Sequence, residues 1–198
     1  MTSRKEAKDK RRRELLEAAA EIMANKGFHQ ARLSDVGAAV GISGPALYRY
    51  FSSKEDLLAE MLIDISIRLV DGAREIVEKH QGSEGEEADP VQVLQALVDF
   101  HVEIAVTEPN LIRVQQREIN NLDGNSAEKV KSLQRTYLGI WTDLLLSARP
   151  SLGRKAARLR TQFAAGLVNS SRFVIHWSGP DLIREHAGVM AMGALLAD

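Results

Sequence analysis

The stretch from Leu33 to Phe51, LSDVGAAVGISGPALYRYF, constrains the fold more than any other part of the chain. It reads as two short helices joined by a tight turn. Val36, Ala39 and Val40 fall at helical spacing in the first, Gly41 breaks the pattern, and Ile42 turns back toward the same apolar side. Ser43 offers a side-chain oxygen to the free N–H groups of a second helix, and Pro45 stands where a missing N–H costs nothing. Leu47 and Phe51, four residues apart, point into a core and leave Tyr48, Arg49 and Tyr50 facing outward. Small residues at such a helix tip let it approach base edges, Arg pairs with guanine, and Tyr hydroxyls bond phosphate oxygens. The segment suits the DNA major groove. A core helical hairpin with a Gly turn would explain the apolar positions, but not a Tyr-Arg-Tyr run close to Lys54.

Composition sets the outer limits. At 198 residues and 44% hydrophobic, the chain can bury a sizeable core as one large domain or two small ones. It has no Cys, which excludes a disulfide framework and thiolate metal sites and fits a reducing cytoplasm. No apolar run approaches the ~20 residues that span a bilayer. The charged N-terminus lacks the apolar stretch of an export signal. Net charge is only −1, yet residues 1–54 hold 11 Lys/Arg against 6 Asp/Glu, while the remainder holds 15 against 21. Any electrostatic footprint for nucleic acid therefore lies at the N-terminal end.

The rest of the chain reads as helices. Ser3 and Glu6 have capping-box spacing, and the basic run Arg4, Lys5, Lys8, Lys10, Arg11, Arg12 and Arg13 follows. That run is either a solvated terminus or a phosphate-contacting arm, and the two readings are compatible. Leu15, Ala19, Ile22 and Met23 form an apolar stripe that Lys26-Gly27 ends. Ser52 and Glu55 predict a cap for a long helix over about 53–80, with Gly72 inside it at a cost of about 1 kcal/mol relative to Ala. Residues 81–89 read as an acidic surface loop, and Asp89-Pro90 restarts the chain. Further helices are expected over about 90–107, 110–120, 126–148, 152–177 and 181–196. The architecture is all-α with about nine helices.

The residues Phe28, Leu33, Asp35-Val36, Gly41-Ile42-Ser43, Ala46-Leu47-Tyr48, Tyr50-Phe51 and Ser53-Lys54-Glu55-Asp56-Leu57-Leu58 resemble the N-terminal domain of TetR-family transcriptional regulators. Two positions depart from the family pattern. Arg32 stands where Thr or Ser usually caps the first helix of the motif, and Gly37 where Ala is usual. The resemblance implies a helix-turn-helix DNA-binding domain over 1–52 and a helical ligand-binding and dimerisation domain over 53–198. It implies that Ser43, Gly44, Pro45 and Ala46 meet bases or phosphates, that Tyr48, Tyr50 and Lys54 grip the backbone, and that Arg49 reads a base. Dimerisation through the last two helices follows by the same resemblance, with Leu159, Phe163, Leu167, Val189, Met190 and Gly193 at the interface. Small residues there, Ala187, Gly188 and Ala191 among them, would let backbones approach.

An effector pocket in the middle of the chain is implied likewise, lined by Phe100, His101, Ile104, Gln116, Arg117, Tyr137, Trp141 and Asn169. Arg113 and Arg117, four apart, could bind a ligand's carboxylate or phosphate, and the competing reading is a solvated face pairing with Glu118 or Asp123. EPNLIRVQQREINNL, RTYLGIW and LVNSSRF look like a branch of the family associated with acyl-CoA and lipid metabolism. The expected function is a ligand-responsive homodimeric repressor on a palindromic operator, with no cofactor or metal. An enzyme is the rival class. The five His form no HExxH or other local metal spacing, and no Gly-rich phosphate loop follows a strand. A helical binding module without DNA binding is the third reading.

Overall fold

The computed structural model describes residues 4–80 and 89–197, with side chains from Glu6 onward. Every regular element among them is helical. In chain order they are α1 (Arg4–Lys26), α2 (Leu33–Ala39), α3 (Gly44–Leu47), α4 (Lys54–His80), α5 (Pro90–Thr107), α6 (Pro109–Glu118), α7 (Gly124–Ala148), α8 (Arg154–Asn169), α9 (Ile175–Ser178) and α10 (Pro180–Leu196). Single 3-10 turns follow α6 (Ile119–Asn121) and α8 (Ser170–Phe173). The Ser3 cap and residues 81–88 of the acidic loop lie outside the described residues.

Several boundaries differ from the sequence reading, each for a local reason. The helix expected over 152–177 stops at Asn169, where Ser170 Oγ bonds the Leu167 carbonyl at 2.6 Å and the chain tightens into the 3-10 turn. α7 starts earlier than Ser126, because Asp123 Oδ1 accepts from the Asn125 and Ser126 N–H groups at 2.9 and 3.0 Å. The Ser126 hydroxyl, together with these backbone bonds, holds the Asp123 carboxyl below its ordinary pKa. The cap of α4 is Ser53 rather than Ser52. Ser53 Oγ accepts from the Asp56 N–H at 3.0 Å, and Asp56 reaches back to the Ser52 N–H at 2.8 Å.

Packing forms two compact units that do not follow chain order. One comprises Met1–Ile65 with Asn110–Val130, the other Ser66–Pro109 with Lys131–Asp198. In the first, Leu15, Ala19, Met23, Phe28, Val36, Leu47, Phe51, Leu57, Leu58 and Met61 are buried together with Ile112 and Val114 of α6. In the second, α10 packs on α8 and α5. Its core includes Leu94, Leu97, Val98, Trp141, Leu145, Ala164, Val168, Ala191 and Leu195. Arg149 and Arg160 close its end by donating to the Leu195, Leu196 and Ala197 carbonyls, which the last turn of α10 cannot satisfy itself. No helix among the described residues is long and apolar enough to cross a membrane.

Gly72 is a contact requirement. A Cβ there would lie 2.4 Å from Phe100 Cζ, so the α5 ring rests directly on the α4 backbone. Gly72→Ala gains about 1 kcal/mol of helix propensity and loses about 1–3 kcal/mol to overpacking. Chemical denaturation should show a net loss. In a Phe100→Leu background the same change should be neutral or stabilising.

Candidate nucleic-acid interface and buried polar cluster

The DNA-facing candidates sit on short elements that long helices hold. α2 forms with Arg32 at its cap position and no side-chain cap, the Asp35 and Val36 N–H groups bonding the Arg32 carbonyl instead. Gly37 is buried, and a Cβ would approach the Ile42 carbonyl oxygen to 3.0 Å, which favours Gly over the Ala usual in the family pattern. Gly41 makes the turn at φ +73°, a conformation that excludes most side chains. Ser43 caps α3, its Oγ accepting from the Ala46 N–H at 3.4 Å.

α3 is shorter than the sequence suggested. It ends at Leu47, and the Arg49 and Tyr50 N–H groups bond the carbonyls of Ala46 and Leu47 in a run of tight turns. Tyr48, Arg49 and Tyr50 are therefore turn residues. Tyr48 is 61% exposed, Arg49 is exposed and Tyr50 is half-buried. Ser43 and Pro45 are exposed, Gly44 and Ala46 half-buried, and all of these lie together around one short surface segment.

Cations from α1 and α4 hold the turns around α2 and α3. Arg12 forms an ion pair with Glu60, donates to the Tyr50 carbonyl at 3.0 Å and lies 4.7 Å over the Phe51 ring. Its Glu60 hydrogen bonds raise its already high pKa, so it stays charged. Arg11 donates to the Val40 carbonyl at 3.1 Å, beyond the end of α2. Rather than extending as part of a basic arm, these two fasten the motif to α1. Lys8, Lys10 and Arg13 of that run are exposed, and the side chains of Arg4 and Lys5 lie outside the described residues. Lys54, expected to grip phosphate, has its ammonium on the Phe28, Ala31 and His29 carbonyls at 2.8, 3.2 and 3.3 Å, and 4.4 Å over the Phe28 ring. All three of its donor positions are taken by backbone.

Of the pocket candidates, Arg117 and Gln116 belong to the first unit. Arg117 donates to the Met23 and Ala24 carbonyls at the end of α1, both at 3.4 Å, and pairs with Glu118 at 2.9 Å. The Glu118 carboxylate is buried and accepts from the Phe28 N–H at 3.3 Å and from Asn121 at 2.7 Å. This clamp between α6 and the α1–α2 turn was not legible in the sequence beyond the Arg117–Glu118 pairing. Gln116 is exposed, whereas its neighbour Gln115 is buried.

The structure brings four of the other candidates together in the second unit. His101 Nδ1 lies 3.1 Å from the Tyr137 hydroxyl and Nε2 lies 3.1 Å from Asn169 Oδ1. With Asn169 presenting its carbonyl oxygen, Nε2–H donates to it and Nδ1 accepts from Tyr137. The His101 and Tyr137 rings stack at 5.6 Å, and Trp141 meets both edge-on. Burial pushes the His101 pKa down to about 4, against a smaller upward effect of Asn169, and pushes the Tyr137 hydroxyl up. The cluster is neutral near pH 7. Phe100 is half-buried on Gly72, and Ile104 is half-buried.

α8 and α10 each carry two apolar faces. Ala157, Ala164 and Val168 of α8, and Ala187, Gly188 and Ala191 of α10, face inward. The small residues expected to bring partner backbones together thus serve the unit's own core, with a Gly188 Cβ only 3.2 Å from Asp99 Oδ1. Leu159, Phe163, Val189 and Met190 lie on the other face, 54–72% exposed, with Gly193 exposed and Leu167 half-buried.

The His101 shift has a defined sign. The folded pKa is below the unfolded value of 6.5, so the unfolded chain binds the extra proton and stability falls as pH drops from about 6.5 toward 4. Between pH 7 and 4.5 this one group should cost about 2 kcal/mol. His101→Gln should remove that part of the acid sensitivity in denaturant titrations at the two pH values.

Two family models match the chain: bacterial regulatory proteins of the tetR family over residues 15–61, and the tetracyclin repressor-like C-terminal domain over residues 87–181. The fatty acid metabolism regulator protein of Bacillus subtilis is 24% identical over 132 residues, 67% of this chain and 64% of that one. The HTH-type transcriptional repressor KstR2 of Rhodococcus jostii is 29% identical over 139 residues, 70% of this chain and 65% of that one. The chain thus aligns with slightly less than two thirds of either relative's length. A crystal structure of a TetR-family transcriptional regulator from Bordetella parapertussis superposes with a TM-score of 0.78 at 24% identity, over 94% of both chains. With one model on the helix-turn-helix segment and the other on the helices that follow, the chain belongs to the TetR family of bacterial regulatory proteins.

Proposed function

We propose that this protein is a homodimeric, ligand-responsive transcriptional repressor that binds a palindromic operator in the cytoplasm and leaves it when a small apolar or acyl-type effector binds. The observation that carries the reading is the surface segment Ser43–Tyr50, small at its tip, with Tyr48 and Arg49 exposed and the Tyr50 carbonyl fixed by Arg12 of α1. In this division, residues 1–52 read DNA and residues 53–198 bind effector and dimerise. Ser43, Gly44, Pro45 and Ala46 approach the groove. Tyr48 and Tyr50 bond phosphates, and Arg49 reads a base. Lys8, Lys10 and Arg13, exposed on α1, add sequence-independent attraction. Lys54 contributes by holding the α1–α2 turn in place.

A single module of this size buries little DNA surface, so two copies share a two-fold site with half-sites one turn apart, about 34–36 Å. The outer face of α8 and α10 supports this pairing, because Leu159, Phe163, Val189 and Met190 make an apolar patch that a monomer would leave in water. The repressor sign follows the Rhodococcus jostii relative, and an acyl-type effector follows the fatty acid regulator from Bacillus subtilis. The effector acts by population shift. A ligand preferring the operator-incompetent state ~100-fold weakens operator binding by about 2.7 kcal/mol at most.

Selection of bound duplexes from a random pool at about 150 mM salt should enrich a palindrome. On that duplex Tyr48→Ala should weaken binding to all sequences and flatten the salt slope. Arg49→Ala should relax preference at one operator position, at a cost of about 1–3 kcal/mol. Lys54→Met should lower the denaturation midpoint and leave the salt slope unchanged. No enriched sequence would leave the helical binding module as the reading. Sedimentation should show a dimer that Phe163→Glu or Val189→Glu converts to folded monomer; an unchanged dimer in both would displace the interface.

A further inference from the structure

Arg32 stands at the cap position of α2 without capping it. A guanidinium carries donors only, so no side chain serves the first turn, and the Asp35 and Val36 N–H groups bond the Arg32 carbonyl instead. A Ser, Thr, Asp or Asn there would stabilise a helix that is only seven residues long. The side chain gains nothing in packing either. It is exposed, and among the described residues its guanidinium makes no hydrogen bond or ion pair. The carboxylate of the same turn, Asp35, already holds the Lys26 ammonium at 2.8 Å. That bond, joined by the charges of Lys26 and Arg32, keeps the Asp35 carboxyl below its ordinary pKa. A position that breaks a local preference without a gain in the fold points to a ligand.

The surroundings narrow the ligand's chemistry. Lys26, His29, Gln30, Arg32 and Asp35 line an open notch at the α1–α2 turn. With Lys26 and Asp35 paired, Arg32 leaves one net positive charge there, and the exposed Gln30 adds an amide donor. A planar fork of five donors matches the oxygens of a phosphodiester. The notch is also fixed to the segment Ser43–Tyr50 from two sides, within one unit. Lys54, just beyond that segment, takes the Phe28, His29 and Ala31 carbonyls. α2 packs on α3, where a Gly37 Cβ would meet Ile42 and Leu47. A duplex carries one backbone charge per about 1.7 Å of its axis, so a cation fixed beside a base-reading segment has phosphates within its reach.

We infer that Arg32 is a phosphate clamp: with Gln30 beside it, the notch at the α1–α2 turn holds a DNA backbone phosphate flanking the bases met by Ser43–Tyr50, and α2 forgoes a side-chain cap for that charge. This rests on the DNA-binding reading proposed above. The contact adds affinity and salt dependence and fixes register, and it carries no sequence information.

The test uses the full-length protein, a duplex bearing the selected palindrome and a random-sequence duplex. Arg32→Gln keeps a donor and removes the charge. The log–log dependence of affinity on salt should flatten by about 0.9 per protomer on both duplexes. Selection with R32Q should return the same palindrome. Neutral methylphosphonates placed one at a time along the operator should reveal one position per half-site that weakens the wild type and leaves R32Q unchanged. Arg32→Thr should flatten the slope equally and raise the denaturation midpoint, because its hydroxyl can accept from the Ser34 or Asp35 N–H.

An unchanged salt slope in both variants, or a methylphosphonate pattern identical for wild type and R32Q, overturns the clamp and leaves the regulator reading standing. A different palindrome selected by R32Q also overturns it, because Arg32 then reads a base. Weaker binding with an unchanged slope and a lower midpoint assigns Arg32 to the fold and overturns the clamp as well. If the wild type binds neither duplex, the regulator reading falls and the clamp with it.

Discussion

The guanidinium of Arg12 joins pieces of chain that local sequence would leave loose. A four-residue helix and a seven-residue one fall well short of the length at which helices persist in water, so α2 and α3 depend on bonds from elsewhere. Arg12 ties the turn after α3 to α1 through the Tyr50 carbonyl, covers Phe51, and pairs with Glu60 of α4. Arg11 does the same for the turn after α2, and Lys54 for the turn before it. Each cation takes carbonyls that short helices and turns cannot satisfy internally. The result is a pair of short helices whose flanking turns are each fastened by a cation from a long helix.

A similar economy governs α6. Arg117 and Glu118 are adjacent in sequence, yet they act on opposite kinds of backbone group. The cation takes the Met23 and Ala24 carbonyls, and the carboxylate takes the Phe28 N–H. Glu118 is buried with three donors around it, which offsets much of the penalty for removing a charge from water. The clamp makes residues 110–130 part of the unit that carries the helix-turn-helix.

In the second unit α8 and α10 are apolar on two faces. Small residues on α8 and α10 face inward, where Ala164, Ala187, Gly188 and Ala191 let helices pack closely. Phe163, Val189 and Met190 face outward. Val168, Ile183, Met192 and Leu195 cover the core beside those small residues, so the outward apolar side chains are in excess of the single apolar face of an ordinary surface helix. Near the centre, His101, Tyr137 and Asn169 satisfy one another and stay neutral, at the expense of a His that resists protonation until about pH 4.

Much of this was written in local patterns. Helical periodicity determined the all-α class, and Gly41, Ser43 and Pro45 determined the turn and the start of α3, because those features depend on backbone conformation within a few residues. Apolar side chains in excess of one face on α8 and α10 marked helices needing two partners. Tertiary structure decided the rest. Lys54 and Arg12 read as free charges until the carbonyls of other elements came within about 3 Å. Gln116 and Arg117 read as pocket residues until α6 packed on α1, and Ser53 displaced Ser52 as a cap only once Asp56 was placed. A side chain's type is local, but its partner is set by contacts distant in sequence, and the partner decides whether a charge is available for a ligand.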